Sequence, residues 1–126
     1  MTKILILGGG GMVGQKLAHR ITTTNIFPDA DLTLFDRAFP SDGVQAKSVI
    51  GNIANPATAQ GLIAARPDVI FHLAAIVSGQ AEAEFDLGWD VNMMAMWHLL
   101  TALKDEHDAS DGTYRPRVVF TSSIAV

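Results

Sequence analysis

Apolar and polar positions along this chain switch between two rhythms. Residues 3–7 are Lys3 followed by an isoleucine and leucine run that ends at Gly8, the pattern of a strand buried on both faces. Residues 12–23 place Leu17, Ala18 and Ile21 on one helical stripe. A second strand is predicted over 31–36, a turn over 40–43, and a third short strand over 46–51. Asn55 suits an N-cap and Pro56 the first helical position, opening a helix to about residue 65. Residues 68–73 read as a fourth strand, 82–105 as a long helix, 109–116 as a polar loop and 117–122 as a fifth strand. Strands alternating with helices imply parallel β-α-β units, a sheet covered on both faces, and the strand order 3-2-1-4-5.

The long helix is apolar on more than one side. Phe85, Trp89, Met96, Leu99, Leu100 and Leu103 form one stripe, and Asn92 falls inside it, facing the sheet. A buried amide there is either a satisfied core asparagine or part of a site's hydrogen-bond network. Leu87, Val91, Met94 and Trp97 form a second apolar set, which needs a covering surface of its own.

Composition narrows the class. The 126 residues suffice for one domain, and 48% hydrophobic with 17% charged residues describes a packed core. A net charge of −4 without a Lys/Arg cluster gives no basis for binding nucleic acid. There is no cysteine, and the four histidines show no ligand spacing, so no metal site is expected. His72, at the end of a buried strand, reads as a core histidine. The first apolar run breaks at Gly8, too early for a signal-peptide core or a membrane span, and a soluble cytoplasmic protein is expected.

The candidate chemistry begins with Gly8-Gly9-Gly10-Gly11-Met12-Val13-Gly14, between the first strand and first helix. A helix N-terminus offers unpaired N–H groups and partial positive charge, and glycine lets phosphate approach the backbone. Gly9, Gly11 and Gly14 fit one dinucleotide-binding spacing, and Gly8, Gly11 and Gly14 fit a wider one; the glycines alone do not choose between them. Asp36 ends the second strand, 22 positions after Gly14, where an acid accepts from ribose hydroxyls and repels a 2′-phosphate. That favours NAD over NADP, although Arg37 is placed to hold such a phosphate. Asp36 is otherwise a strand-end turn former. The other strand ends are also small or polar: Gly51-Asn52-Ile53, Ala74-Ala75 and Ser122-Ser123. Asn52 either caps the following loop or meets adenine. Ala74 and Ala75 either admit a ribose and nicotinamide or simply pack tightly. Ser122 and Ser123 either bind a substrate oxygen or begin a loop. Together these ends describe a ligand crevice beyond the carboxyl edge of a Rossmann-type, doubly wound sheet.

These stretches, with His72-Leu73-Ala74-Ala75, Asn92 and residues 121–126, resemble the extended short-chain dehydrogenase/reductase family, also called the NAD-dependent epimerase/dehydratase family. The resemblance implies the wider glycine register, with Gly8, Gly11, Met12, Val13, Gly14, Asp36, Asn52, Ile53, Leu73, Ala74, Ala75 and Asn92 around NAD. It implies Ser123 as the catalytic serine, with Ser122 the fallback. Leu7, Asn52, Ala95 and Met96 depart from residues common in the family at these positions. Residues 75–88 look most like members that oxidise D-erythronate, a four-carbon sugar acid. The resemblance also implies a homodimer through the helix over 82–105, where a neighbouring helix of the same subunit is the other cover.

The family's proton-transfer pair, Tyr-x-x-x-Lys, is missing. Tyr114 is the only tyrosine, Val118 stands four residues on, and Tyr114 precedes the fifth strand, about 20 Å from the crevice. The expectation is therefore an NAD-binding domain, residues 1–126, that is the N-terminal part of a longer enzyme, lacks its substrate domain and is inactive alone. The expected parent activity is hydride transfer between a sugar-acid alcohol and nicotinamide. The alternatives are a nucleotide-sugar 4-epimerase or dehydratase with retained NAD, and a non-catalytic dinucleotide sensor.

Overall fold

Ile4, Leu5, Ile6 and Leu7 are each 3% exposed or less, because strand β1 (Thr2–Leu7) runs through the middle of the sheet. The computed structural model describes residues 1–73 and 93–121. Within them β1 is followed by α1 (Met12–Thr23), β2 (Ala30–Asp36), β3 (Lys47–Ile50), α2 (Pro56–Ala64), β4 (Val69–His72), α3 (Ala95–Ala109) and β5 (Arg117–Phe120). Every pairing is parallel and the order is β3-β2-β1-β4-β5, as the alternation predicts. Leu7 lies beside Phe35 on one flank and His72 on the other, so the three central strands end nearly level.

Alternate residues of each strand serve opposite layers. Ile4, Ile6, Leu32 and Leu34 pack with Ala18 and Ile21 under α1. Leu5, Leu7, Phe35 and Ile70 pack with Ile63 of α2 and Leu99 of α3. Asn55 caps α2 by accepting from the Ala57 amide, with Pro56 opening the helix.

Three expectations need correction. The long helix ends at Ala109, four residues beyond the predicted stop. Its last turn is polar and gives no apolar signal, yet Lys104 pairs with Asp108 at 2.8 Å, and the Gly112 amide, at φ +77°, returns to the His107 carbonyl at 2.9 Å. Leu100 does not share the buried stripe: it is 52% exposed, whereas Ala95, Leu99 and Ala102 are buried. The buried arc follows those i, i+4, i+7 positions, where two alanines let α3 approach α2. Finally, the outer strands are not covered on both faces by described elements. Val118, Val119 and Phe120 of β5 and Ile50 of β3 are all exposed. The predicted positions Ala74, Ala75, Asn92, Ser122 and Ser123, and the helix portion over 82–92, lie outside the described residues.

Candidate functional site

The glycine run forms the turn from β1 into α1. Gly8 has φ +86°, a left-handed conformation that a side chain disfavours, and its amide and that of Gly9 both donate to the Phe35 carbonyl. A Cβ on Gly14 would lie 2.3 Å from the Gly8 carbonyl oxygen, so this glycine permits the close approach of α1 to the loop. Gly11 differs: a Cβ there would meet only the Gly8 oxygen, at 3.6 Å. Nothing inside the described chain requires glycine at that position; the space beside it is left open.

Gly11 is also the N-cap of α1 and offers no side-chain hydrogen bond, and the first turn carries no acid. The amides of Met12, Val13 and Gly14 have no acceptor among the described residues. Met12 is 73% and Val13 53% exposed, so apolar side chains do not bury this end. An uncapped helix start behind a bare loop fits a phosphate group.

Asp36 stands beside this loop. Its Oδ2 accepts from the Gly10 amide at 2.9 Å and its Oδ1 from the Arg37 amide at 2.7 Å. The carboxylate is thereby held by backbone on both oxygens, with lone pairs left for further donors. Arg37 is exposed, and among the described residues its guanidinium makes no ion pair. At the end of β3, Asn52 accepts from the Ala54 amide, which is the loop-capping role; Ile53 is buried against the core, with its side chain turned inward. Leu73 continues the sheet through its amide to the Leu7 carbonyl and packs on the α1 side. The loop, Asp36, Asn52 and Leu73 thus gather at the carboxyl edge.

His72 is 5% exposed, as a core histidine should be, and burial holds its pKa below the ordinary value, favouring the neutral ring. Its Nε2 has no partner among the described residues. Tyr114 is buried at the opposite, amino edge. Its hydroxyl donates to the Pro67 carbonyl at 2.7 Å, and burial pushes its pKa up to about 12. A cavity of about 320 Å³ lined by Lys3, Asp31, Lys47 and Gly61 also opens at that amino edge, away from the loop.

Two residues of the site carry no sequence signal. Gln15, directly after Gly14, donates from Nε2 to the Gly9 carbonyl at 2.7 Å and accepts at Oε1 from the Val44 amide at 2.8 Å. Gly10 lies under the segment after β2, where a Cβ would sit 2.0 Å from the Ala38 carbonyl oxygen. Both depend on the path of residues 37–44, of which the sequence announces only the turn over 40–43, where the Gly43 amide donates to the Pro40 carbonyl at 3.2 Å.

The profile of the NAD dependent epimerase/dehydratase family matches residues 4–126. D-erythronate dehydrogenase from Cupriavidus necator is 40% identical over 132 residues, covering 98% of this chain and 39% of that protein. D-erythronate dehydrogenase from Haemophilus influenzae is 33% identical over 127 residues, covering 98% and 38%. The crystal structure of the nucleoside-diphosphate-sugar epimerase from Agrobacterium tumefaciens aligns with a TM-score of 0.85 at 41% identity, covering 99% of this chain and 38% of that one. The chain spans about two fifths of the length of these relatives.

Proposed function

The chain belongs to the NAD dependent epimerase/dehydratase family, and we propose that it is the NAD-binding part of an oxidoreductase acting on a sugar acid like D-erythronate. The observation that carries the cofactor half is the bare, uncapped start of α1 at Gly11, beside a carboxylate already fixed by backbone. In this reading the pyrophosphate lies against the Gly8, Gly11 and Gly14 loop and the Met12 and Val13 amides. Asp36 accepts from the adenosine ribose and selects NAD over NADP. Asn52, Ile53, Leu73, Ala74, Ala75 and Asn92 line the remainder, with Ile53 contributing through its backbone. NAD, when bound, accepts the hydride. Ser123, or Ser122 in its stead, binds the substrate oxygen.

The sugar-acid half rests on the two relatives named D-erythronate dehydrogenases. Tyr114 is tied to Pro67 at the amino edge and is not the proton-transfer group of this reading. In this reading that group and its lysine are not among residues 1–126, which span about two fifths of the length of these relatives. A homodimer through the helix over 82–105 is part of the proposal, supported by the exposed Trp97 and Leu100 on α3. So is a cytoplasmic location: among the described residues no helix is long and apolar enough to cross a membrane.

Full-length protein with free NAD and D-erythronate is expected to generate NADH absorbance. The solved epimerase at 41% identity favours a second reading, a nucleotide-sugar epimerase. Absence of NADH formation, with tightly held NAD and interconversion of UDP-sugars, decides for that reading. Reversible NAD binding without turnover of either substrate decides for a dinucleotide sensor.

A further inference from the structure

Residues 36–44 are fastened to the glycine loop at three points. Asp36 Oδ2 takes the Gly10 amide. The Ala38 carbonyl rests against Gly10 so closely that no Cβ fits between them. The Gln15 carboxamide spans the Gly9 carbonyl and the Val44 amide, 6 and 29 residues away in sequence. Gly43 keeps this third point clear, since a Cβ there would meet Gln15 Oε1 at 2.9 Å. Val44 is also packed into the α1-side core with Phe39 and Ala46. The span between Gly9 and Val44 needs one donor and one acceptor from a single side chain. A glutamine amide supplies both; a glutamate turns a lone pair toward the Gly9 carbonyl, and a lysine offers no acceptor.

Gly9 and Gly10 lie outside the Gly8, Gly11, Gly14 register that the NAD-binding reading assigns to the phosphate, and their ties run to Asp36 and Gln15 instead. They act on what lies beside Asp36. We propose that Gln15 is a positioning residue that clamps the β2–β3 connection onto the glycine loop, presenting Asp36 and that connection to the adenosine half of the dinucleotide as one preformed wall. The role rests on the NAD-binding reading above. A wall that must be ordered on binding weakens the affinity for whatever rests on it, and for that half of the ligand alone.

The test compares half-ligands by calorimetry on the full-length protein. Gln15→Glu, which loses the bond to the Gly9 carbonyl, and Gln15→Leu, which loses that bond and the one from the Val44 amide, are each expected to raise the Kd for NAD and for ADP-ribose by roughly tenfold or more. The Kd for nicotinamide mononucleotide stays within about twofold, since that half lies beyond the clamp. Amide exchange at Val44 accelerates in Gln15→Leu, because its acceptor is gone. An unchanged Kd for ADP-ribose in both variants overturns the role of Gln15 and leaves the cofactor reading intact. Equal weakening of both half-ligands marks a general loosening and also overturns it. Wild-type protein that binds no ADP-ribose removes the cofactor reading and this role together.

Discussion

Two glycines of the loop separate packing from binding. At Gly14 a Cβ would press on the Gly8 carbonyl at 2.3 Å, backbone against which no rotamer can relieve it. Gly14→Ala is expected to cost about 2 kcal/mol of stability, the order of an overpacked site. At Gly11 the same methyl meets open space, so Gly11→Ala changes stability by less than about 1 kcal/mol, a weakened N-cap. Yet it puts a methyl where the phosphate should lie, and NAD affinity should fall at least about tenfold. Urea unfolding and an NAD titration on the same variants separate the two effects. A Gly11→Ala protein that binds NAD like its parent contradicts the phosphate assignment. Gly11, Gly14 and Asp36 are legible in the sequence because each fits a regular spacing, whereas the choice of Gly8 over Gly9 comes only from the family resemblance. Gly10 and Gln15 stay silent because their reasons, the Ala38 carbonyl and the Val44 amide, come from a connection with no periodicity.

Among the elements, legibility follows burial. The central strands β1 and β4 read as unbroken apolar runs because both their faces are covered, and the strand order follows from β-α-β handedness. The end of α3 was illegible because polar Asp105, Glu106 and Asp108 extend it on ion-pairing and a glycine cap rather than on apolar contact. Tyr114 illustrates a second blind spot: a lone aromatic in a polar loop, buried in the structure as the peg that joins the α3–β5 and α2–β4 connections through the Pro67 carbonyl. Removing its hydroxyl leaves that carbonyl without its donor. Tyr114→Phe is expected to lower stability by about 1 kcal/mol. NAD affinity should not change, because the peg stands at the amino edge and the glycine loop at the carboxyl edge. A weakened NAD titration in Tyr114→Phe contradicts that separation.

For the molecule as a whole, the decisive feature is where apolar surface stays uncovered. Met93, just ahead of α3, and Trp97 and Leu100 on it recur at i, i+4 and i+7 spacing and are 56%, 65% and 52% exposed, on a different side from the buried Ala95, Leu99 and Ala102. A regular stripe of large apolar side chains on a helix costs free energy in water and needs a partner. A two-fold axis beside α3 would cover the stripe with its own copy, which is the economy of an isologous interface. Trp97→Glu and Leu100→Lys each bring a charge into that contact, where it meets its like from the second subunit. Each is expected to convert full-length protein from dimer to monomer in light scattering, while a Lys104→Ala control, one turn further along, stays dimeric. NAD binding per subunit should survive, since the glycine loop belongs to α1 on the other layer of the sheet. Wild-type protein that remains monomeric at tens of micromolar contradicts the dimer and assigns the stripe to a helix of the same subunit.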